Sequence, residues 1–272
     1  MARLGPDRSP EQAPAQLTFD GVSKTYRSRQ GDVPALIGID LAVREGELVV
    51  ILGPSGCGKS TLLKMTAGIV RPTEGKIIVG SNVVVPKDPP AGHLGMVFQT
   101  PVLLEWRTVL DNILLPIEIL GGDRRAGRDR AEELLVRVGL EGFQDRHPAE
   151  LSGGMQQRVA ICRALVFDPP ILLMDEPFGA LDALTRDEMA VELLRLWEAT
   201  RKTILFVTHS IEESVFLADR VVVLSARPGR IKLDVTIDLE RPRDAETRYH
   251  HDFSAYSHTI REAITTQEPL PT

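Results

Sequence analysis

The stretch "GPSGCGKST", Gly53–Thr61, decides the fold because an apolar run, "ELVVIL", precedes it and a helical pattern, "TLLKMTAG", overlaps its end. It fits the pattern G-x-x-x-x-G-K-[ST] between a strand and a helix. Glycines let backbone N–H groups surround an anion, and the following helix turns the positive end of its dipole toward that anion. A glycine turn with a solvated lysine would not need this context. The stretch therefore predicts a phosphate-binding loop for a nucleoside triphosphate, made of Gly53, Pro54, Ser55, Gly56, Cys57, Gly58, Lys59, Ser60 and Thr61.

The composition of the 272 residues argues against membrane-spanning, disulfide-rich secreted and general nucleic-acid-binding proteins. No apolar run approaches the roughly 18 residues that span a bilayer. The first 16 residues carry three prolines and no apolar core of the signal-peptide kind, so we expect 1–16 to be a disordered leader. Two cysteines give no disulfide framework, and a net charge of −6 argues against a general nucleic-acid binder. These features predict a soluble cytoplasmic protein with no nucleic-acid partner.

Short apolar strands alternate with helical segments along the chain, which predicts an α/β core with a mostly parallel sheet. The stretch from about 100 to 160 has helical patterns only and reads as an inserted helical subdomain of a domain spanning 17–240. From 241 to 272 we expect a helical extension whose apolar stripe packs on its own core or on a partner copy. The predicted strands are Leu17–Val22, Glu47–Leu52, Lys76–Val79, Leu94–Phe98, Ile171–Met174, Thr203–Val207 and Arg220–Leu224. The predicted helices are Lys59–Ala67, Arg128–Val138, Gly154–Leu165, Leu184–Thr200 and Ile211–Ala218.

Two carboxylates end the apolar strand in "PILLMDEP". Asp175 at the strand end can bind Mg²⁺ together with Ser60, and Glu176 can orient or deprotonate an attacking water. A strand-end Asp-Glu pair can also do no more than cap a turn. Beside a phosphate-binding loop, the pair predicts hydrolysis of the bound triphosphate.

A third motif, "LSGGMQQR" at 151–158, completes a pattern that resembles the nucleotide-binding subunits of ABC transporters. The resemblance implies a RecA-like P-loop NTPase fold with a helical subdomain, and ATP and Mg²⁺ as cofactors. It also implies that a serine and two glycines at a helix N-terminus contact the ATP held by another copy of the chain. The matching residues are Leu151, Ser152, Gly153, Gly154, Met155 and Gln156, with Met155 where the family usually has Gln.

The resemblance assigns further positions residue by residue. Tyr26 matches the aromatic residue that stacks on adenine, Gln99 the glutamine that contacts Mg²⁺ and water, and His209 the histidine that senses the γ-phosphate. The loop that touches the partner subunit matches Gly179, Ala180, Leu181 and Asp182. We expect the remaining histidines to be solvated side chains, at positions 93, 147, 250, 251 and 258.

Two longer stretches, "FQTPVLLEWRTVLDNILLPIEI" and "VVVLSARPGRI", look like the nitrate/sulfonate/taurine-type importer ATPases, with Glu105 before Trp106 where the group usually has proline. This implies an ATP-hydrolysing motor that works as a head-to-tail dimer for a small solute. It would lie on the cytoplasmic face of the membrane, bound to a permease and served indirectly by a solute-binding protein. Import rather than export follows from the resemblance and from the lack of a fused membrane domain.

A soluble ABC ATPase that acts on nucleic acid or ribosomes is the alternative. Such proteins usually carry a coiled-coil insertion, zinc-binding cysteines or two ATPase domains. This sequence has one phosphate-binding loop, and only 51 residues separate Gln99 from Leu151. Transport is therefore the favoured interpretation.

Two side-chain predictions follow from local sequence. The apolar group Val102, Leu103, Leu104 and Trp106 in a predicted loop forms a permease contact or packs within the helical subdomain. Cys57, beside Lys59 and a helix N-terminus, should have a lowered pKa and react readily, whereas Cys162 within a helix should be buried and inert.

Overall fold

The computed structural model describes residues 13–29, 31–84, 92–179 and 181–266. Within these ranges the chain forms ten strands and seven α-helices. The strands are β1 (Ala15–Ser28), β2 (Gly31–Arg44), β3 (Leu48–Leu52), β4 (Glu74–Val79), β5 (Asn82–Val83), β6 (Leu94–Val97), β7 (Ile171–Asp175), β8 (Thr203–Thr208), β9 (Arg220–Leu224) and β10 (Ile231–Thr236). The helices are α1 (Lys59–Thr66), α2 (Val109–Leu120), α3 (Arg124–Arg137), α4 (Gly153–Leu165), α5 (Ala183–Thr200), α6 (Ile211–Leu217) and α7 (His251–Thr265).

A six-stranded sheet in the order β10-β9-β3-β8-β7-β6 forms the centre of the molecule. All its strands run parallel except β10, which pairs antiparallel with β9 at one edge. The strands β3, β7 and β8 are buried along their whole length, and their apolar central residues suit a sheet covered on both faces. Their carboxyl ends meet at one edge, where Leu52 pairs with Thr208 and Asp175 with Val207.

One face of the central sheet is covered by α1 and by a second, antiparallel sheet in the order β2-β1-β4-β5. Alternate residues of the central strands, such as Val49 and Ile51, pack there with Phe19, Ile39 and Leu62 in one buried cluster. The phosphate-binding loop is therefore held between two sheets by the helix that follows it.

The other face is covered by helices. The remaining central side chains, such as Val50 and Phe206, share a second buried cluster with Trp197 of α5, Phe216 of α6 and Ile113 of α2. Residues 100–160, all of which the structure describes, contain α2, α3, the first part of α4 and no strand, as the sequence predicts. None of the helices within the described ranges is both long enough and apolar enough to cross a membrane.

The α/β class is confirmed, and each predicted strand and helix exists, with bounds that agree to within about four residues except in β1, which continues to Ser28 rather than ending at Val22. The prediction omitted β2, β5, β10 and α2. The leader prediction extends too far, because Ala15 and Gln16 belong to β1; residues 1–12 lie outside the described part of the chain. The C-terminal helix α7 packs on its own chain, with Phe253 and Ile260 buried in the helical cluster.

Candidate functional site

The loop from Gly53 to Gly58 is shaped by glycine. Gly58 has φ +106°, and a Cβ there would lie 2.7 Å from Leu36 Cδ2, so both backbone angle and space demand glycine. The α1 helix begins at the next residue and has no side-chain cap at its N-terminus. Its first N–H groups therefore point into the loop without a capping partner, which suits an anion.

Lys59 is a buried cation at the centre of this loop. It is only 5% exposed, and its Nζ donates to the carbonyls of Gly53 at 2.8 Å and Pro54 at 3.1 Å. Glu176 Oε1 lies 3.9 Å away. A phosphate oxygen entering the loop would meet a positive charge that is already held in place.

Ser60 and Asp175 come together from two different elements. The Ser60 hydroxyl donates to Asp175 Oδ1 at 2.8 Å, and burial of Asp175 raises the pKa of its carboxyl, an effect that the Ser60 hydrogen bond opposes. Mg²⁺ prefers such oxygen ligands, and a cation there would offset the burial of the carboxylate. The pair therefore fits a magnesium ion; Gln99 lies exposed at the edge of the same cleft.

Glu176 and His209, which the sequence analysis assigns to the attacking water and to the γ-phosphate, lie in contact, with Glu176 Oε2 2.8 Å from His209 Nδ1. Glu176 has φ +44°, a left-handed conformation that costs a non-glycine residue roughly 1 kcal/mol or more. Its N–H donates to Val207 O of the next strand at 2.9 Å, which holds this conformation. The carboxylate thus lies between Lys59 on one side and His209 on the other.

A cleft of about 310 Å³ joins these groups. Residues of the phosphate-binding loop line it together with Tyr26, Gln99, Glu176 and Arg227. The Tyr26 hydroxyl lies 3.4 Å from Thr61 Oγ1 at the start of α1. An aromatic ring and a buried lysine in one cleft suit the base and the phosphates of a nucleoside triphosphate.

The sequence analysis missed Arg227. Its Nε donates to Gly56 O at 3.3 Å, because the segment after β9 lies against the loop: Gly229 N donates to Ala35 O at 2.9 Å, and a Cβ on Gly229 would lie 2.2 Å from Cys57 O. The signal was the "ARPGR" segment after β9. The contact of this segment with the phosphate-binding loop could be inferred only once β9 was known to lie beside β3.

The "LSGG" turn lies outside this cleft. Ser152 caps α4 by accepting from Met155 N at 3.3 Å, Gln156 Nε2 donates to Pro148 O at 3.0 Å, and Leu151 is buried. Ser152 and Gly153 are exposed, and a Cβ on Gly154 would lie 3.1 Å from Thr185 Cγ2. The N-terminus of α4 is therefore exposed at a place outside the cleft.

The loop after Glu176 leads back toward the helices. Gly179 N donates to Glu176 O at 3.0 Å, Leu181 is buried, and Asp182 caps α5 by accepting from Thr185 N at 3.0 Å. Ala180, which the sequence assigns to the same loop, lies outside the described residues. The loop is thus anchored at both ends.

The prediction of a reactive Cys57 is wrong. The side chain is fully buried in the cluster beneath the loop, and burial raises the pKa of its thiol despite the opposing charge of Lys59. Cys162 is inert as predicted, since burial raises its pKa to about 12. The five remaining histidines are exposed, as predicted.

The apolar residues after Gln99 differ in their exposure to solvent. Leu103 packs partly on the helical cluster, whereas Val102 and Trp106 are exposed, Trp106 by 76%. The backbone is pinned by buried Asn112, whose Oδ1 accepts from Leu104 N at 2.7 Å. An ordered segment thus displays a large aromatic side chain at the surface.

Comparisons with known proteins agree on one family. The family model described as "ABC transporter" matches residues 36–179. An ABC transporter ATP-binding protein of Methanocaldococcus jannaschii is 51% identical over 229 residues, which is 84% of this chain and 85% of that protein. The taurine import ATP-binding protein TauB of Burkholderia pseudomallei is 45% identical over 237 residues, 87% of this chain and 88% of that protein. A solved dimeric ATP-binding cassette, bound to ADP and Pi, is 34% identical with a TM-score of 0.73, covering 82% of this chain and all of that one.

Proposed function

Since the chain belongs to the ABC transporter family, whose ATP-binding proteins are ATPases coupled to transport, we propose that it is the ATP-hydrolysing motor of a membrane importer. The solute would be a small molecule of the nitrate, sulfonate or taurine class. The observation that carries the catalytic part is the meeting of Lys59, the Ser60–Asp175 pair and the Glu176–His209 pair at one edge of the sheet. The similarity to a taurine import protein supports the solute class.

In this proposal the cleft binds ATP along its length. Tyr26 stacks on the adenine, the loop from Gly53 to Thr61 surrounds the phosphates, and Lys59 exchanges its carbonyl contacts for phosphate oxygens. Ser60, Asp175 and Gln99 would hold Mg²⁺, which would neutralise charge on the phosphates.

Hydrolysis would use Glu176 as the base. Its Oε2 is held by His209 Nδ1, which leaves Oε1 to accept the proton of the attacking water. His209, whose side chain is 58% exposed, can reach a γ-phosphate oxygen from the same position. A strained, well-anchored carboxylate of this kind avoids reorganisation during the reaction.

The exposed helix N-terminus at Ser152–Gly154 supports a head-to-tail dimer. It lies outside its own cleft, so its N–H groups can contact only an ATP held by another copy. The similar dimeric cassette supports the same arrangement. The loop from Gly179 to Asp182 would then face the partner subunit.

The exposed Trp106 and Val102 support a permease contact beside Gln99. The chain would then be peripheral, on the cytoplasmic face of the membrane, with a solute-binding protein acting only through the permease. The proposal divides the chain into a nucleotide-binding domain over 17–240, a helical subdomain over about 100–160 and an extension over 241–272.

Affinity purification from detergent-solubilised membranes tests this function. The wild-type chain should recover a protein with several membrane-spanning helices and no nucleic acid. Trp106→Glu should lose that protein, while Val136→Glu, a matched change at another exposed apolar side chain of the helical subdomain, should retain it. Recovery of RNA, DNA or ribosomes in its place would support the alternative function and overturn this one.

A further inference from the structure

The loops that carry Glu176 and His209 are joined in two ways. Besides the direct contact between the two side chains, a series of other side-chain contacts links the two loops. Thr208, next to His209, donates from Oγ1 to the buried carboxylate of Glu213 on α6. On its other side, Glu213 Oε1 lies 3.6 Å from Arg186 Nε on α5. The Arg186 Nη2 donates to Leu181 O at 2.8 Å, in the loop that follows Glu176.

These contacts close a ring. From Leu181 the chain returns to Glu176 through two turn hydrogen bonds, Leu181 N to Phe178 O at 3.1 Å and Gly179 N to Glu176 O at 3.0 Å. From Glu176 the contact to His209 Nδ1 leads back to the residue after Thr208. The pair that would perform hydrolysis is therefore one segment of a ring that runs through α5 and α6.

Two physical arguments indicate that this ring of contacts fixes the positions of Glu176 and His209. A buried carboxylate is costly without partners, and Glu213 has two: Thr208 beside His209, and Arg186 on α5, which in turn contacts the Leu181 loop. The left-handed conformation of Glu176 persists only where its surroundings over-determine it. Loss of the link between Arg186 and Glu213 would free the Leu181 loop from the turn that carries His209.

We propose that Glu213 and Arg186 are positioning residues that hold Glu176 and His209 in the geometry for hydrolysis. The inference rests on the proposed function, in which the Leu181 loop faces the partner subunit. A displacement of that loop on dimer formation would then reach His209 through Arg186, Glu213 and Thr208. Neither Glu213 nor Arg186 lines the cleft.

The test uses Glu213→Gln in the full-length chain, because Gln keeps an oxygen for Thr208 and loses the charge that attracts Arg186. Glu47→Gln is the matched control: Glu47 is a buried carboxylate that lies 3.3 Å from Arg220 Nη1 and accepts from Arg44 N, remote from the cleft. We expect Glu213→Gln to lower kcat by roughly 10-fold or more through misplacement of the pair. KM and nucleotide affinity should change by less than about 2-fold, since substrate contacts are intact. Glu47→Gln should keep kcat, even if both variants lose thermal stability.

A double-variant cycle separates positioning from general damage. In a His209→Ala background, Glu213→Gln should cost little further activity, because residues that act through one another are not additive. An unchanged kcat in Glu213→Gln, or fully additive losses in the cycle, would overturn the positioning role. Arg186→Gln, at a half-exposed side chain, repeats the test should Glu213→Gln unfold. A wild-type chain without ATPase activity would overturn the proposed function itself, and this inference with it.

Discussion

The two cysteines show how far a residue's chemistry depends on the direction of its side chain. Sequence places Cys57 beside a lysine and a helix N-terminus, and both lower a thiol pKa. The structure turns the sulfur down into the core, where desolvation outweighs both. The sequence shows which residues flank Cys57. The direction of its side chain depends on the backbone turn at Gly56 and Gly58, which the sequence does not show.

Alkylation tests this residue-scale result. In the native protein, N-ethylmaleimide should modify Cys57 and Cys162 at least about tenfold more slowly than in denaturant, because the thiolate is disfavoured in both sites. Raising the pH should bring Cys57 into reaction before Cys162, whose pKa is about 12. Mass spectrometry of timed samples measures both rates. Rapid labelling of Cys57 that MgATP prevents would show that its thiol faces the cleft after all.

At the scale of elements, the strands buried on both faces were predicted, whereas β2 and β10 were not. The strands β3, β7, β8 and β9 each contain an unbroken apolar run, LVVIL, ILLM, ILFV and VVVL respectively, which is typical of a buried parallel strand. The β10 sequence, Ile231–Thr236, alternates apolar and polar residues, so this half-exposed edge strand did carry a local signal that the prediction did not use. The β2 sequence contains Pro34 and Gly38, which disfavour a strand, and its strand character comes from pairing with β1, a tertiary effect.

The same limit applies to the site. The motifs located every predicted group on strand ends and helix starts, because their residue types suit phosphate and magnesium chemistry. Arg227 lies in a stretch that the sequence analysis quoted without assigning it a role, and Glu213 and Arg186 belong to no motif; their contacts became visible only through the strand order and the packing of α5 on α6. Long-range neighbours of this kind need the fold as well as the sequence.

The C-terminal extension is anchored by one buried arginine. Arg243 is 4% exposed and donates to five carbonyls, three of them at the end of α6, on residues 215, 216 and 218, and two on 237 and 239. Burial lowers its pKa to about 10, yet the guanidinium stays charged at neutral pH. A cation at a helix C-terminus satisfies carbonyls that have no partner within the helix.

Replacing this arginine should weaken the whole fold. Arg243→Met should lower the free energy of unfolding by about 3 kcal/mol, because it leaves buried carbonyls without donors. Arg248→Met is the control: Arg248 pairs with exposed Asp187 and lies over the Phe216 ring of the same helix, and its loss should cost about 1 kcal/mol or less. Urea unfolding followed by circular dichroism compares the two. Equal losses would show that the carbonyl contacts of Arg243 contribute little.

At the scale of the whole molecule, one chain carries two separate surface regions, each of which would form half of an ATP site in the proposed dimer. One chain offers a cleft with a buried lysine, an acid pair and a histidine, and elsewhere an exposed helix N-terminus at Ser152. Neither is complete without a second copy in the proposed head-to-tail arrangement. Dimer formation and ATP hydrolysis therefore both test the proposed head-to-tail arrangement.

Glu176→Gln in the presence of MgATP tests that geometry most directly. The change keeps Lys59 and the Ser60–Asp175 pair and removes the base, so ATP should bind and not be cleaved. As a control, Ser152→Asp in the Glu176→Gln background keeps a good N-cap for α4 and places a negative charge where the partner's phosphate would lie. Light scattering after size-exclusion chromatography should show a dimer of the 30.0 kDa chain for Glu176→Gln with ATP, and a monomer without ATP or with Ser152→Asp added. Wild-type turnover by Glu176→Gln, or an ATP-bound variant that stays monomeric, would contradict the account.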